Sequence, residues 1–110
     1  MEILIAAYRE FNARNIDAVL ALMHPDVVWP NGMEGGYVHG HNEVRAYWTR
    51  QWGVVDPHVD PLKIERDAEG RVVVEVHQVV RDLAGRILVD TILHHAYIIR
   101  AGLIERMEIE

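Results

Sequence analysis

Apolar positions change their period along the chain. Over residues 3–12, Leu4, Ala7, Tyr8 and Phe11 recur at i, i+3, i+4 and i+7, which predicts an amphipathic helix. Asn15 is placed to cap a second helix, with Asp17 in its first turn and Ile16, Val19, Leu20 and Met23 as its stripe; Pro25 is expected to end it. Val27, Val28 and Trp29 predict a short strand stopped by Pro30, and residues 31–40, with Gly32, Gly35, Gly36 and Gly40, a loop. A third helix follows over about residues 41–52, with Val44, Tyr47, Trp48 and Gln51 on one stripe and Trp52 beside it. After the breakers Asp56, Pro57 and Pro61 the period drops to two, and four strands are expected at roughly 61–67, 71–82, 86–100 and 103–110. No repeat or linker divides the chain, so residues 1–110 are read as one α+β domain with helices on one face of a curved antiparallel sheet.

Two segments, Asp67 to Arg71 and Asp82 to Arg86, read Asp-x-x-Gly-Arg. Asp, two ordinary residues and then Gly predicts a type I turn followed by a left-handed glycine, the three-residue hairpin loop. Pairing Asp82 with Arg86 and counting outward sets Val73 opposite His95 and His77 opposite Thr91, with His77 and His95 on one face. That face would also carry Val73, Glu75, Val79, Leu93, Tyr97, Ile99, Met107 and Ile109. The other would carry Leu62, Ile64, Val72, Val74, Val76, Val80, Ile92, Ala96, Ile98 and Ile104, nearly all aliphatic. A half-solvated sheet has one polar face, and this one has none. The expectation is that helices cover the mixed face, which lines a cleft, and that a second copy covers the aliphatic face in a homodimer; a mixed face turned to solvent is the alternative.

Composition removes several chemistries. There is no Cys and no Ser, Thr occurs only at Thr49 and Thr91, and Lys63 is the sole lysine. Serine and cysteine nucleophiles are therefore excluded. A net charge of −6 without a basic cluster argues against nucleic acid, and no stretch is apolar for long enough to span a bilayer. Met1-Glu2-Ile3-Leu4 has no basic leader, so the cytoplasm is the expected compartment. Seven histidines raise the question of metal, but His39-Gly-His41 and His94-His95 are the only clusters, and neighbours on a strand face opposite ways. No metal and no cofactor is expected.

The segments Tyr8-Arg-Glu-Phe, Asn15-Ile-Asp-Ala-Val-Leu-Ala-Leu, His24-Pro-Asp-Val-Val-Trp29, Val44-Arg-Ala-Tyr-Trp48 and Gly102-Leu-Ile-Glu-Arg-Met107 resemble the SnoaL-like branch of the nuclear transport factor 2-like superfamily. That superfamily includes polyketide cyclases, steroid isomerases, dehydratases and limonene epoxide hydrolases. The resemblance implies a cone, a bent sheet wrapped around three N-terminal helices with cystatin-like topology, enclosing an apolar pocket and often dimeric. It implies that His95 stands where steroid isomerases carry a pocket carboxylic acid, and that His77 and Val79 line the pocket. Trp29 occupies the position of the isomerase base, so that base is missing.

Residues and resemblance together point to a small apolar organic ligand. His77 and His95 are the candidate proton-transfer groups of a cofactor-free isomerase, cyclase, dehydratase or hydrolase. On the expected register they lie roughly 13 Å apart, serving opposite ends of a ligand. Tyr8, Trp29, Asn31, Tyr47, Trp48, Trp52, Glu75, Val79, Tyr97 and Met107 are the candidate ligand contacts. The alternative is a non-catalytic ligand-binding or dimerisation module, in which each histidine only hydrogen-bonds a neighbour.

Overall fold

A computed structural model describes all residues, 1–110. Helices α1 (Glu2–Asn12) and α2 (Ile16–Leu20) lead into β1 (Met23–Pro30) and β2 (Tyr37–His39). Helix α3 (Gly40–Trp52) is followed by β3 (Val55–Arg66), β4 (Val72–Asp82), β5 (Ile87–Arg100) and β6 (Leu103–Ile109). The strands form one unclosed sheet in the order β2-β1-β6-β5-β4-β3. Every pairing is antiparallel except β1 with β6, which joins the N-terminal hairpin to the meander. Helix α3 touches β1 and β2 at one end of the sheet and β3 at the other, so the sheet curls round the helices into the cone that the resemblance implied. No helix is long and apolar enough to cross a membrane.

Apolar stripes build the core between the helices and the inner sheet face. Leu4 and Tyr8 of α1, Val44, Tyr47 and Trp48 of α3, and Val27, Val74 and Ile104 of the strands are all buried there. Burying a side chain of this size contributes about 1.5–3 kcal/mol. The prolines are placed differently from expectation. Pro57 and Pro61 lie inside β3, which begins at Val55; β3 has only one neighbour, and an edge strand tolerates a residue without an N–H. Pro25 lies inside β1 rather than ending α2, and the β1–β6 register shifts there, between Met23 and Val28.

Both Asp-x-x-Gly-Arg turns form as predicted. Gly70 and Gly85 take φ of 81° and 95°, and Asp82 Oδ1 accepts from Ala84 N–H (3.0 Å) and Arg86 N–H (2.9 Å). The expected register does not survive beyond the second turn. Arg81 pairs with Ile87 but Val80 pairs with Val89, leaving Leu88 as an extra residue on β5. This β-bulge moves the register by one, and a one-residue slip turns a whole strand over relative to its neighbour. His95 lies opposite Val74, and His77 opposite Ile92.

The faces are therefore recombined. The inner face takes Val72, Val74 and Val76 from β4 with Leu93, His95 and Tyr97 from β5 and Met107 and Ile109 from β6. The outer face takes Glu75, His77 and Val79 with Asp90, Ile92 and His94. The expectation of a bare aliphatic outer face is corrected accordingly: most of those valines form the core.

Candidate functional site

Between the helices and the inner sheet face lies a cavity of about 460 Å³. Its walls are mainly apolar, with Phe11 from α1, Trp29 and Pro30 from β1, Trp48 from α3, and Leu93 and Met107 from the sheet. Trp48 meets Trp29 edge to face at 5.6 Å between centroids. The polar lining side chains are Tyr8, Tyr47, Gln51, Gln78, Thr91, His95 and Tyr97. No Asp, Glu, Lys or Arg lines the cavity. Nor does any group of three or more His, Asp or Glu side chains converge elsewhere.

The α1 stripe aims Tyr8 at the sheet, and its hydroxyl meets His95 Nδ1 at 2.8 Å. Tyr97, two residues along the same strand and on the same face, donates to the Tyr8 oxygen at 2.7 Å. Tyr97 has no other hydroxyl partner and is 1% exposed. With Tyr97 donating to Tyr8, the Tyr8 proton is free for Nδ1, and a neutral His95 then carries its own proton on Nε2. Nε2 has no protein partner, yet the one sealed side-chain polar atom lacking a partner is Trp52 Nε1. Nε2 is thus open to the cavity its ring lines.

Burial reinforces this state. Desolvation, assisted by the charge of neighbouring His94, lowers the His95 pKa to about 4, so the ring is neutral near pH 7. Desolvation also raises the Tyr8 and Tyr97 hydroxyls well above the ordinary tyrosine value, and both stay protonated.

Of the candidates from the sequence, Tyr8, Trp29, Tyr47, Trp48, His95, Tyr97 and Met107 line the cavity. The others are elsewhere. His77 lies on the outer face, its side chain 40% exposed, with Nε2 2.7 Å from Asp90 Oδ1. Glu75 and Val79 share that face because the Leu88 bulge reverses β4 relative to β5. The shared hollow expected for His77 and His95 is thereby overturned. Trp52 stacks behind Trp48 at 5.8 Å, with the Arg14 guanidinium 4.9 Å from its ring, outside the lining. Asn31 organises its loop, its Oδ1 accepting from Met33 N–H (3.1 Å) and Glu34 N–H (2.9 Å).

Gln51, Gln78 and Thr91 were missed. Gln51 follows Tyr47 by four residues, a helical spacing that makes them neighbours. Gln78 and Thr91 pair across β4 and β5, which is visible only once the bulge is known.

Comparison with known proteins gives a consistent picture. The profile of the SnoaL-like domain family matches residues 4–107. The solved structure of TerC co-crystallized with polyporic acid is similar at 30% identity and a TM-score of 0.85, over 99% of this chain and 88% of that one. An NTF2-like protein of unknown function from Burkholderia pseudomallei is 28% identical with a TM-score of 0.85, over 100% and 88% of the two chains. A Mycobacterium tuberculosis protein in complex with estradiol-17β-hemisuccinate shares the fold at 20% identity and a TM-score of 0.81, over 97% and 88%. No match was found among curated proteins.

Proposed function

The chain belongs to the SnoaL-like domain family, and on that footing we propose that its cavity binds an uncharged, largely apolar, flat or cyclic organic molecule through an oxygen held by His95 Nε2–H. The observation that carries the reading is the hydrogen-bonded chain Tyr97–Tyr8–His95, which leaves Nε2 facing a cavity without formal charge; we read Tyr8 as the donor to Nδ1, which makes Nε2–H the donor to the ligand. Aromatic walls offer faces for a flat ring. The co-crystallisation of TerC with polyporic acid supports an organic ligand for a relative of this size.

The same geometry limits the chemistry. A neutral histidine that donates from Nε2 stabilises negative charge growing on a carbonyl oxygen. No carboxylate lines the cavity to serve as general base, and His77 is on the other side of the sheet. Ligand binding is therefore the better supported reading, and catalysis by His95 as an electrophile is the second. Titrating the purified chain with cyclic ketones while following the His95 ring nitrogens tests both. A ring resonance that moves with bound ketone supports binding at Nε2, and turnover lost in His95→Leu supports the electrophile. Ketones that leave the ring unmoved contradict the reading.

A homodimer through the outer face is part of the proposal, supported by Ile92 and Ile98, exposed by 57% and 39%. Sedimentation shows whether it forms: a dimer that Ile92→Asp converts to a monomer supports this placement, and a monomeric wild-type chain rejects it.

A further inference from the structure

Tyr47 does not belong to the chain that ends on His95. Its oxygen accepts two hydrogen bonds, from Gly32 N–H at 3.0 Å and from Gln51 Nε2 at 3.2 Å. With the Gln51 amide oriented to donate, both acceptor directions are used, the hydroxyl proton can only be donated, and no protein group takes it. The donors behind it are fastened. The Asn31 turn holds the loop that carries Gly32, and Arg50, on α3 with Gln51, grips Glu34 of that loop at 2.9 Å. Tyr47, Gly32 and Gln51 all line the cavity, and Tyr47 is 3% exposed, so its proton has the cavity as its outlet. Burial holds the phenol in its protonated form, while the Gly32 and Met33 N–H groups polarise it.

We propose that Tyr47 is a second donor station, and that the cavity takes a ring compound with two acceptor oxygens, one for His95 Nε2–H and one for the Tyr47 hydroxyl. This deepens the proposed function and rests on it. No carboxylate or guanidinium lines the cavity, and the Glu34 and Arg50 charges nearest Tyr47 are paired with each other, so two donors suit an uncharged dione or alkoxy-ketone and disfavour amines, which bring protons of their own, and carboxylates, which find no free cation in the lining.

Two probe pairs of different oxygen spacing test this on the full chain: 1,4-naphthoquinone against 1-tetralone, and androst-4-ene-3,17-dione against androst-4-en-3-one. Quenching of the cavity tryptophans reports binding, and the absence of cysteine removes the main quinone side reaction. In at least one pair the dione should bind about tenfold tighter, the worth of one well-made hydrogen bond. Tyr47→Phe should bring that ratio close to one. Ketones that bind with no preference, or a preference that persists in Tyr47→Phe, overturn the second station and leave the proposed function standing. Binding by none of the probes overturns both. Should Tyr47→Phe fail to fold, the ring Cζ resonance of Tyr47 in the wild-type chain decides: it should move with the preferred dione and not with its monoketone, and equal behaviour overturns the proposal.

Discussion

Tyr8 and His95 are 87 residues apart in sequence and 2.8 Å apart at Oη and Nδ1. A helix at one end of the chain and a strand near the other thus meet in a single hydrogen bond, which turns the imidazole's proton toward the cavity. His95→Leu should leave the Tyr8 hydroxyl buried without an acceptor and cost about 1–3 kcal/mol of stability, with ketone binding lost. His77→Ala, on the outer face, should stay within about 0.5 kcal/mol of wild type and bind ketones normally. Urea denaturation and fluorescence titration measure both.

Stability should depend on pH through His95. Its folded pKa, about 4, lies below the ordinary histidine value of 6.5. Between these values the unfolded chain binds more protons than the folded one, so stability rises with pH in that interval. The contribution is complete above pH 6.5 and lost as pH falls toward 4, and amounts to about 3 kcal/mol at most. Denaturation midpoints measured across this interval should fall on acidification in the wild type, and His95→Leu should flatten the part that this ring supplies.

Leu88 is the extra residue in the pairing of β4 with β5. Deleting it removes the extra residue yet leaves Arg81 opposite Ile87, Val80 opposite Val89 and Val74 opposite His95, so the two strands keep their faces without the bulge. The expected result is that Val72, Val74 and Val76 stay in the core and that the loss of stability remains within about 0.5–3 kcal/mol, the range of an ordinary local change. Hydrogen exchange across the two strands measures it: native-like protection at Val74 and His95 is expected, and protection lost along both strands would contradict the register.

The elements were legible because their signals are local. The α1 and α3 stripes and the two Asp-x-x-Gly-Arg turns follow from period and turn chemistry, while the cone came from the family resemblance. The placement of Tyr8, Tyr47, Trp48 and Tyr97 against the cavity followed from helical spacing and the family resemblance. The partnership of His77 with His95 failed because a bulge has no strong sequence mark here. Ile87, Leu88 and Val89 form a uniform aliphatic run in which any member fits as the extra residue. Without that residue, counting outward from a correct turn gives the wrong face for the whole of β4. The edge prolines failed for a related reason: Pro57 and Pro61 break a central strand, but a sequence does not announce which strand is the edge.

The account stands on the proton of His95 pointing into the cavity. Long-range ¹H–¹⁵N correlation of the imidazole at pH 7 measures it directly. A neutral ring protonated at Nε2 in the wild type, with the Nδ1–H form gaining population in Tyr97→Phe, is the predicted result. A wild-type ring protonated at Nδ1, or at both nitrogens, would contradict it.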